Sequence, residues 1–248
     1  MYAFLRRNWL YVQYWLNASN GKGHGIHSPF VFKFVTEVLN DTRSFYAFEL
    51  IANSRKALLA NNALLKKDRQ IIRASDQIKY GELLFRIVHF FSSQNILEIG
   101  NSFGITTAYM STANEKANVV TLAADNRYVS IVREIFKTIQ LPNITLAVND
   151  TNTVLQSVLQ KMEKIDLCYI HNNFAEDTLT NYFDQLQPFL HEFSVLVISP
   201  IRYNSNTKKN WDTIINHSHV RLTIDLFDMG LIFFRTEQYA KQHFAIRF

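Results

Sequence analysis

A chain of 248 residues that is 48% hydrophobic, with 20 Phe, 11 Tyr and 3 Trp, carries far more apolar surface than a disordered segment, and it is long enough for one large domain or a domain with an appendage. Cys168 is its single cysteine, which excludes an internal disulfide framework and suits a reducing cytoplasm. The net charge of +5 is uneven: residues 1–80 hold 12 Lys/Arg and 5 Asp/Glu (net +7), whereas 81–248 hold 14 and 16 (net −2), which points to an N-terminal surface turned toward an anionic substrate or partner, or to a solvated helix face.

In chain order, residues 1–92 read as helices broken at Asn17–Gly25 and near Asn61–Asn62. No apolar stretch approaches the roughly 18 to 20 residues that span a bilayer. Arg6 and Arg7 lie inside the apolar N-terminal segment instead of ahead of it, unlike a secretory signal, so a cytoplasmic protein with no membrane partner is expected. Tyr2–Leu16 carries aromatics on several faces (Phe4, Trp9, Tyr11, Tyr14, Trp15), which suits packing onto a core or a homodimer contact. Asn20–Phe30 is a glycine-rich loop, ordered or lid-forming, in which Ser28-Pro29 starts a helix whose first turn accepts proline. The basic residues are scattered and no nucleic-acid motif interleaves them with aromatics, so a nucleic-acid partner is disfavoured.

From Asn95 onward the pattern changes. Short β-rich runs at Asn95–Ile99, Asn118–Ala123, Asn143–Val148, Ile165–Ile170 and Ser194–Ser199 alternate with segments of helical period such as Arg127–Gln140. Such alternation predicts an α/β fold with a parallel sheet. Val220–Leu226 and Gly230–Arg235 are separated by three residues, which suits an antiparallel hairpin and forbids a crossover. A helical extension over 1–92 and an α/β domain over 93–248, with a mostly parallel sheet finished by an antiparallel hairpin, follow.

Ile96–Thr107, which reads Ile-Leu-Glu-Ile-Gly-Asn-Ser-Phe-Gly-Ile-Thr-Thr, is the most informative segment. A buried strand runs into Gly100, Gly104 comes four residues later and a helix begins near Ile105. Ligands of open α/β sheets bind beyond the carboxyl ends of strands, where glycines let a cofactor approach the backbone. Glu98 can accept hydrogen bonds from the turn amides or from a cationic cofactor group. The spacing is not that of the dinucleotide fingerprint, and Ser102 lies off the G-x-S-x-G hydrolase elbow.

With these residues in view, the sequence resembles the class I S-adenosylmethionine-dependent methyltransferases, within them the bacterial O-methyltransferase-like branch that carries a helical N-terminal extension. The stretch His24–Phe32, Leu97-Glu-Ile-Gly, the helix start Gly104-Ile-Thr-Thr, Trp211, Ile224-Asp-Leu-Phe and Gly230-Leu-Ile-Phe-Phe-Arg carry the likeness over nearly the whole chain. The resemblance implies a Rossmann-like seven-stranded, mostly parallel sheet with an antiparallel last strand. It also implies S-adenosylmethionine as cofactor, held by Glu98, Gly100, Asn101, Ser102, Gly104, Asp125 and Asp150, the last near the adenine amine.

The family's chemistry does not carry over at every strand end. Ala123 stands where an acidic residue takes both ribose hydroxyls, and Asp125 lies two residues on, about 6 Å farther along an extended chain. Hydrogen bonds to a charged acceptor contribute about 1.5 to 3 kcal/mol each, so the loss bears on cofactor affinity. His171, Ser199 and Pro200 occupy three positions that hold aspartates in the family, which argues against a magnesium or calcium site; no metal is expected. His171 has two readings: a base for an acceptor hydroxyl or amine, or a half-buried histidine standing in for a lost aspartate. His24 and His27 are placed to cover the site, and Tyr203, Lys208 and Trp211 to form a substrate wall beyond the fifth strand.

Two functions stay open. One is a metal-independent methyltransferase acting on a small molecule, since in-line methyl transfer asks the protein mainly for alignment. The other is a catalytically inactive protein of the same fold that serves as a binding or assembly module, because a fold outlives its site chemistry.

Overall fold

The computed structural model describes residues 2–61, 64, 66, 69, 78–100, 103–123, 129–148, 151–171, 178–237 and 240–248. They gather into two compact units: Asp41–Met162, called here the middle unit, and Met1–Asn40 with Glu163–Phe248, the outer unit. The helices expected as one N-terminal extension are therefore shared between the two units.

The middle unit contains α3 (Tyr46–Ala60), α4 (Ile78–Phe91), β1 (Asn95–Ile99), α5 (Ile105–Ala113), β2 (Asn118–Ala123), α6 (Val129–Ile139), β3 (Ile144–Val148) and α7 (Thr151–Met162). Its strands run parallel in the order β3-β2-β1, with Glu98 opposite Thr121 and Ala123 opposite Val148. Strands buried on both faces need apolar side chains on both, and β1 shows this in Ile96, Leu97 and Ile99, each fully buried. Phe48, Ile51 and Leu58 of α3 join Phe85 of α4, Tyr109 of α5 and Val132, Ile135 and Phe136 of α6 in one apolar cluster. Four helices thus share a single core, and Phe103 from the β1–α5 turn is part of it.

The outer unit contains α1 (Tyr2–Asn17), α2 (Pro29–Phe34) continued by a π turn (Val35–Leu39), β4 (Ile165–His171), α8 (Thr178–Leu186), β5 (Leu190–Ser199), α9 (Ser205–Ile215), β6 (Leu222–Asp225), β7 (Gly230–Phe233) and β8 (Gln242–Ala245). Its strand order is β4-β5-β7-β6-β8: β4 pairs β5 in parallel, β7 is antiparallel to both β5 and β6, and β8 is parallel to β6. The expected hairpin forms as read, with Phe227 at φ 71 in its turn. The described residues hold eight strands instead of seven. The added β8 is a four-residue edge strand, Gln-His-Phe-Ala, too short to announce itself by alternation.

Local chemistry sets the element boundaries. The Ser28 hydroxyl accepts from Val31 N–H and Pro29 takes the first helical position of α2. Asn204 caps α9 reciprocally, its side chain accepting from Thr207 N–H while its own N–H donates to Thr207 Oγ1.

Candidate functional site

In the middle unit, three of the described residues between β1 and α5 have left-handed backbone: Gly100 (φ 85), Phe103 (φ 57) and Gly104 (φ 79). Gly100 is half-buried and its N–H donates to Leu122 O at 3.2 Å, which fastens the start of the turn to β2. Glycine tolerates such a φ without the Cβ penalty that Phe103 bears, and Phe103 is held there by burial of its ring in the apolar cluster. Gly104 caps α5, and a Cβ on it would lie 2.7 Å from a Phe136 ring carbon and 3.2 Å from Val132 Cγ1. The space beside Gly104 is thus filled by α6. This accounts for the second glycine through packing, where the sequence suggested room for a cofactor.

Glu98 is fully buried, and its two carboxylate oxygens accept hydrogen bonds from the hydroxyls of Thr106 and Thr107. A carboxylate removed from water requires such donors, and the second and third positions of α5 also place it near the positive end of the helix dipole. No Glu98 surface remains open to a ligand. The side chain braces the turn through these two hydroxyls. Thr106 and Thr107 were legible as the end of the Gly-Ile-Thr-Thr stretch, but nothing in the sequence identified them as partners of Glu98. Ala123 ends β2 as a buried residue. Asn101, Ser102, Asp125 and Asp150 lie outside the described residues.

In the outer unit, β4 ends in His171, which is 7% exposed, pairs with Ser199 across the parallel ladder and packs edge-on against Tyr169 with ring centroids 4.5 Å apart. Ser199 Oγ donates to Asp228 O at 3.2 Å, and Ile201 N–H donates to the same oxygen at 3.0 Å. These bonds tie the end of β5 to the β6–β7 turn. The Ser199–Pro200 peptide is cis. Imidazole, hydroxyl and a proline ring thus stand at the ends of β4 and β5, and the described residues contain no group of three or more His, Cys, Asp or Glu able to hold a metal ion.

The other sequence candidates divide by exposure. Trp211 is 2% exposed, and a Cβ on Gly230 would come within 2.4 Å of its ring. It packs over Gly230 of β7. Tyr203 is 64% exposed beyond β5, and Lys208 forms an i,i+4 ion pair with Asp212 on α9. His24 and His27 are exposed on a loop stitched at its base to the end of the chain. There Ser19 N–H donates to Ala245 O, Arg247 N–H to Ser19 O, and Asn40 Nδ2 to Gly21 O.

Sequence reasoning also missed the arginines around the β6–β7 turn. Arg202 pairs with both oxygens of Asp225 and donates to Phe227 O at 2.9 Å, while Arg7 of α1 grips Asp228 at 2.7 and 2.9 Å. The Tyr14 hydroxyl donates to Ile246 O, and burial first, then the Asp225 charge, pushes its phenol well above the usual range.

No protein-family model matches the sequence, and no curated protein matches it. Solved structures do. An O-methyltransferase from Bacillus cereus in complex with SAH is 17% identical, with a TM-score of 0.58 over 82% of this chain and 97% of that one. The O-methyltransferase TomG from Streptomyces achromogenes, in complex with SAM, is 12% identical, with a TM-score of 0.57 over 81% and 95%. The SAH-bound methyltransferase PaMTH1 from Podospora anserina is 14% identical, with a TM-score of 0.60 over 79% and 91%. At these identities the likeness is one of fold: the chain has the Rossmann-like α/β fold of these methyltransferases.

Proposed function

We propose that this chain is an S-adenosylmethionine-dependent methyltransferase that acts on a small molecule without a metal ion. The observation that carries the reading is the left-handed, half-buried turn at Gly100, braced from beneath by the Glu98–Thr106–Thr107 lock and set in a fold whose solved examples hold SAM or SAH. Gly100 keeps surface that a ligand can touch, so the cofactor fits the first glycine of the turn, with Asn101, Ser102, Asp125 and Asp150 as further proposed contacts. Gly104 and Glu98 shape the turn from behind it. When bound, the cofactor supplies the methyl group and its own leaving group. The protein's part is to align the acceptor and to take up its proton, for which His171 is the proposed base, its ring fixed by Tyr169.

A second reading is favoured by Ala123, His171 and Ser199, none of which is a carboxylate: a protein of this fold that binds or assembles without catalysis. Calorimetric titration with S-adenosylmethionine and S-adenosylhomocysteine separates the two. Saturable binding that Gly100→Val abolishes supports the enzyme, together with a turnover that survives a chelator and falls on His171→Ala. Silence up to about 1 mM ligand, a binding free energy weaker than about 4 kcal/mol, supports the second reading.

A further inference from the structure

α1 is apolar on two opposite sides. Leu10, Tyr14 and Ala18 pack with Phe227 and Ala245, and Arg7 is fixed to Asp228 on the same side. Away from that contact, Trp9 (62% exposed), Val12 and Leu16 (66%) follow one another at i, i+3 and i+7, with Trp15 exposed beside them, while Tyr11 packs edge-on against Phe227 on the inner side. Helices apolar on two faces normally bury both, and scattered single hydrophobes do not form such a stripe. Phe32 of the following helix is exposed as well, so six of the ten large exposed hydrophobic residues among the described ones come from residues 9–32.

Charge selects the occupant. Residues 1–36 hold Arg6, Arg7, Lys22 and Lys33 and no acidic residue, the first being Glu37. Arg6, Lys22 and Lys33 are exposed, while Arg247 lies 4.1 Å over the Trp15 ring and donates to Trp15 O at 2.9 Å, which adds a further cation beside an exposed aromatic. A symmetric contact with a second copy would set this one-signed surface against itself. An aromatic and aliphatic stripe flanked by cations matches the interface of an anionic bilayer, where tryptophan and tyrosine rings sit at headgroup level and basic residues meet lipid phosphates.

We propose that the outer face of α1 docks the protein onto anionic membrane surfaces. This is attachment to a surface and not a span, since no described helix is long and apolar enough to cross a bilayer; it departs from the expectation of no membrane partner.

The test is co-sedimentation of the full chain with vesicles of equal phosphatidylglycerol and phosphatidylcholine, against vesicles of phosphatidylcholine alone, at low and high salt. Expected is binding to the anionic vesicles that weakens with salt, with a blue shift of tryptophan emission that reports Trp9 and Trp15 because Trp211 is already buried. Arg6→Gln should weaken binding about fivefold. Trp9→Gln with Leu16→Gln should weaken it on the order of tenfold or more. Both substitutions fall on exposed positions, and an unchanged melting temperature verifies the fold. Failure to sediment, equal binding to both vesicle types, or wild-type binding by the Trp9/Leu16 variant overturns the proposal. A dimer by light scattering that this variant converts to monomer, with no vesicle binding, overturns it in favour of self-association.

Discussion

Two acidic clusters in this molecule are satisfied in opposite ways. In the middle unit, Glu98 lies wholly inside the protein and is held by the neutral hydroxyls of Thr106 and Thr107 at the start of a helix. In the outer unit, Asp225 and Asp228 are half-buried in a hairpin turn and are held by the guanidinium groups of Arg202 and Arg7, of which only Arg7 is well exposed. The first arrangement braces a rigid turn and loses heavily if a donor disappears, because a buried carboxylate has no water to fall back on. The second is a clasp of charged partners that solvent reaches on the Arg7 side, where an ion pair is individually weak. Rigidity is therefore concentrated under the candidate cofactor turn, and adjustability where α1 meets the hairpin.

The largest expected effect lies in the middle unit. Gly104→Ala demands a left-handed Cβ, about 1 to 2 kcal/mol, and drives that atom into Phe136 at 2.7 Å, about 1 to 3 kcal/mol more. We expect a total loss of about 4 kcal/mol by urea denaturation. A loss below about 1 kcal/mol would show that α6 moves freely and that the turn is not braced. Next is the lock itself. Thr106→Val with Thr107→Val removes two hydroxyl donors from Glu98 and should cost about 3 kcal/mol. Adding Glu98→Gln to that pair should cost much less than Glu98→Gln costs alone, because the three side chains act as one unit.

That lock also marks the limit of what the sequence disclosed. Strand positions such as Asn95–Ile99 and Asn118–Ala123 were legible to the residue, because continuous apolar runs bounded by polar ones leave buried strands little latitude. The hairpin was legible from a connection too short for any crossover. Glu98 was legible as important but not in its role, since a carboxylate eight and nine residues before two threonines has no local signature; only the turn of the chain brings them together. The packing of Gly104 was hidden for a related reason: a glycine that admits a ligand and one that admits Phe136 look the same in one dimension. The packing of Trp211 was not legible because its partner, Gly230, lies nineteen residues away on a strand. For β8, four residues were too few to set a period.

The clasp of the outer unit predicts smaller effects with distinct dependences. The Tyr14 phenol is raised by burial, so the folded state keeps its proton where the unfolded chain, near pH 10, releases it. Its contribution is complete below pH 10 and is lost as pH rises above that value, by up to about 1.4 kcal/mol per pH unit. Tyr14→Phe should cost about 1 kcal/mol at neutral pH by removing the hydrogen bond to Ile246 O. It should also flatten the fall of stability above pH 10, and an unchanged alkaline slope would place the responsible group elsewhere.

The smallest effect belongs to Arg7 and Asp228. The Arg7 side chain is 38% exposed, so solvent screens the pair despite its two short bonds. Asp228→Asn should cost about 0.5 kcal/mol at low salt, and the coupling in a double-mutant cycle with Arg7→Gln should vanish near 1 M salt, where the Debye length is about 3 Å. The Ser199 and Ile201 bonds use the backbone oxygen of residue 228 and survive the substitution, so the end of β5 should keep its place while α1 alone loosens. Hydrogen exchange faster in α1 but unchanged at Ile201 would bear this out. A coupling above about 2 kcal/mol that ignores salt would mean that the pair is as sealed as Glu98, and the contrast between a rigid middle unit and an adjustable clasp would have to be given up.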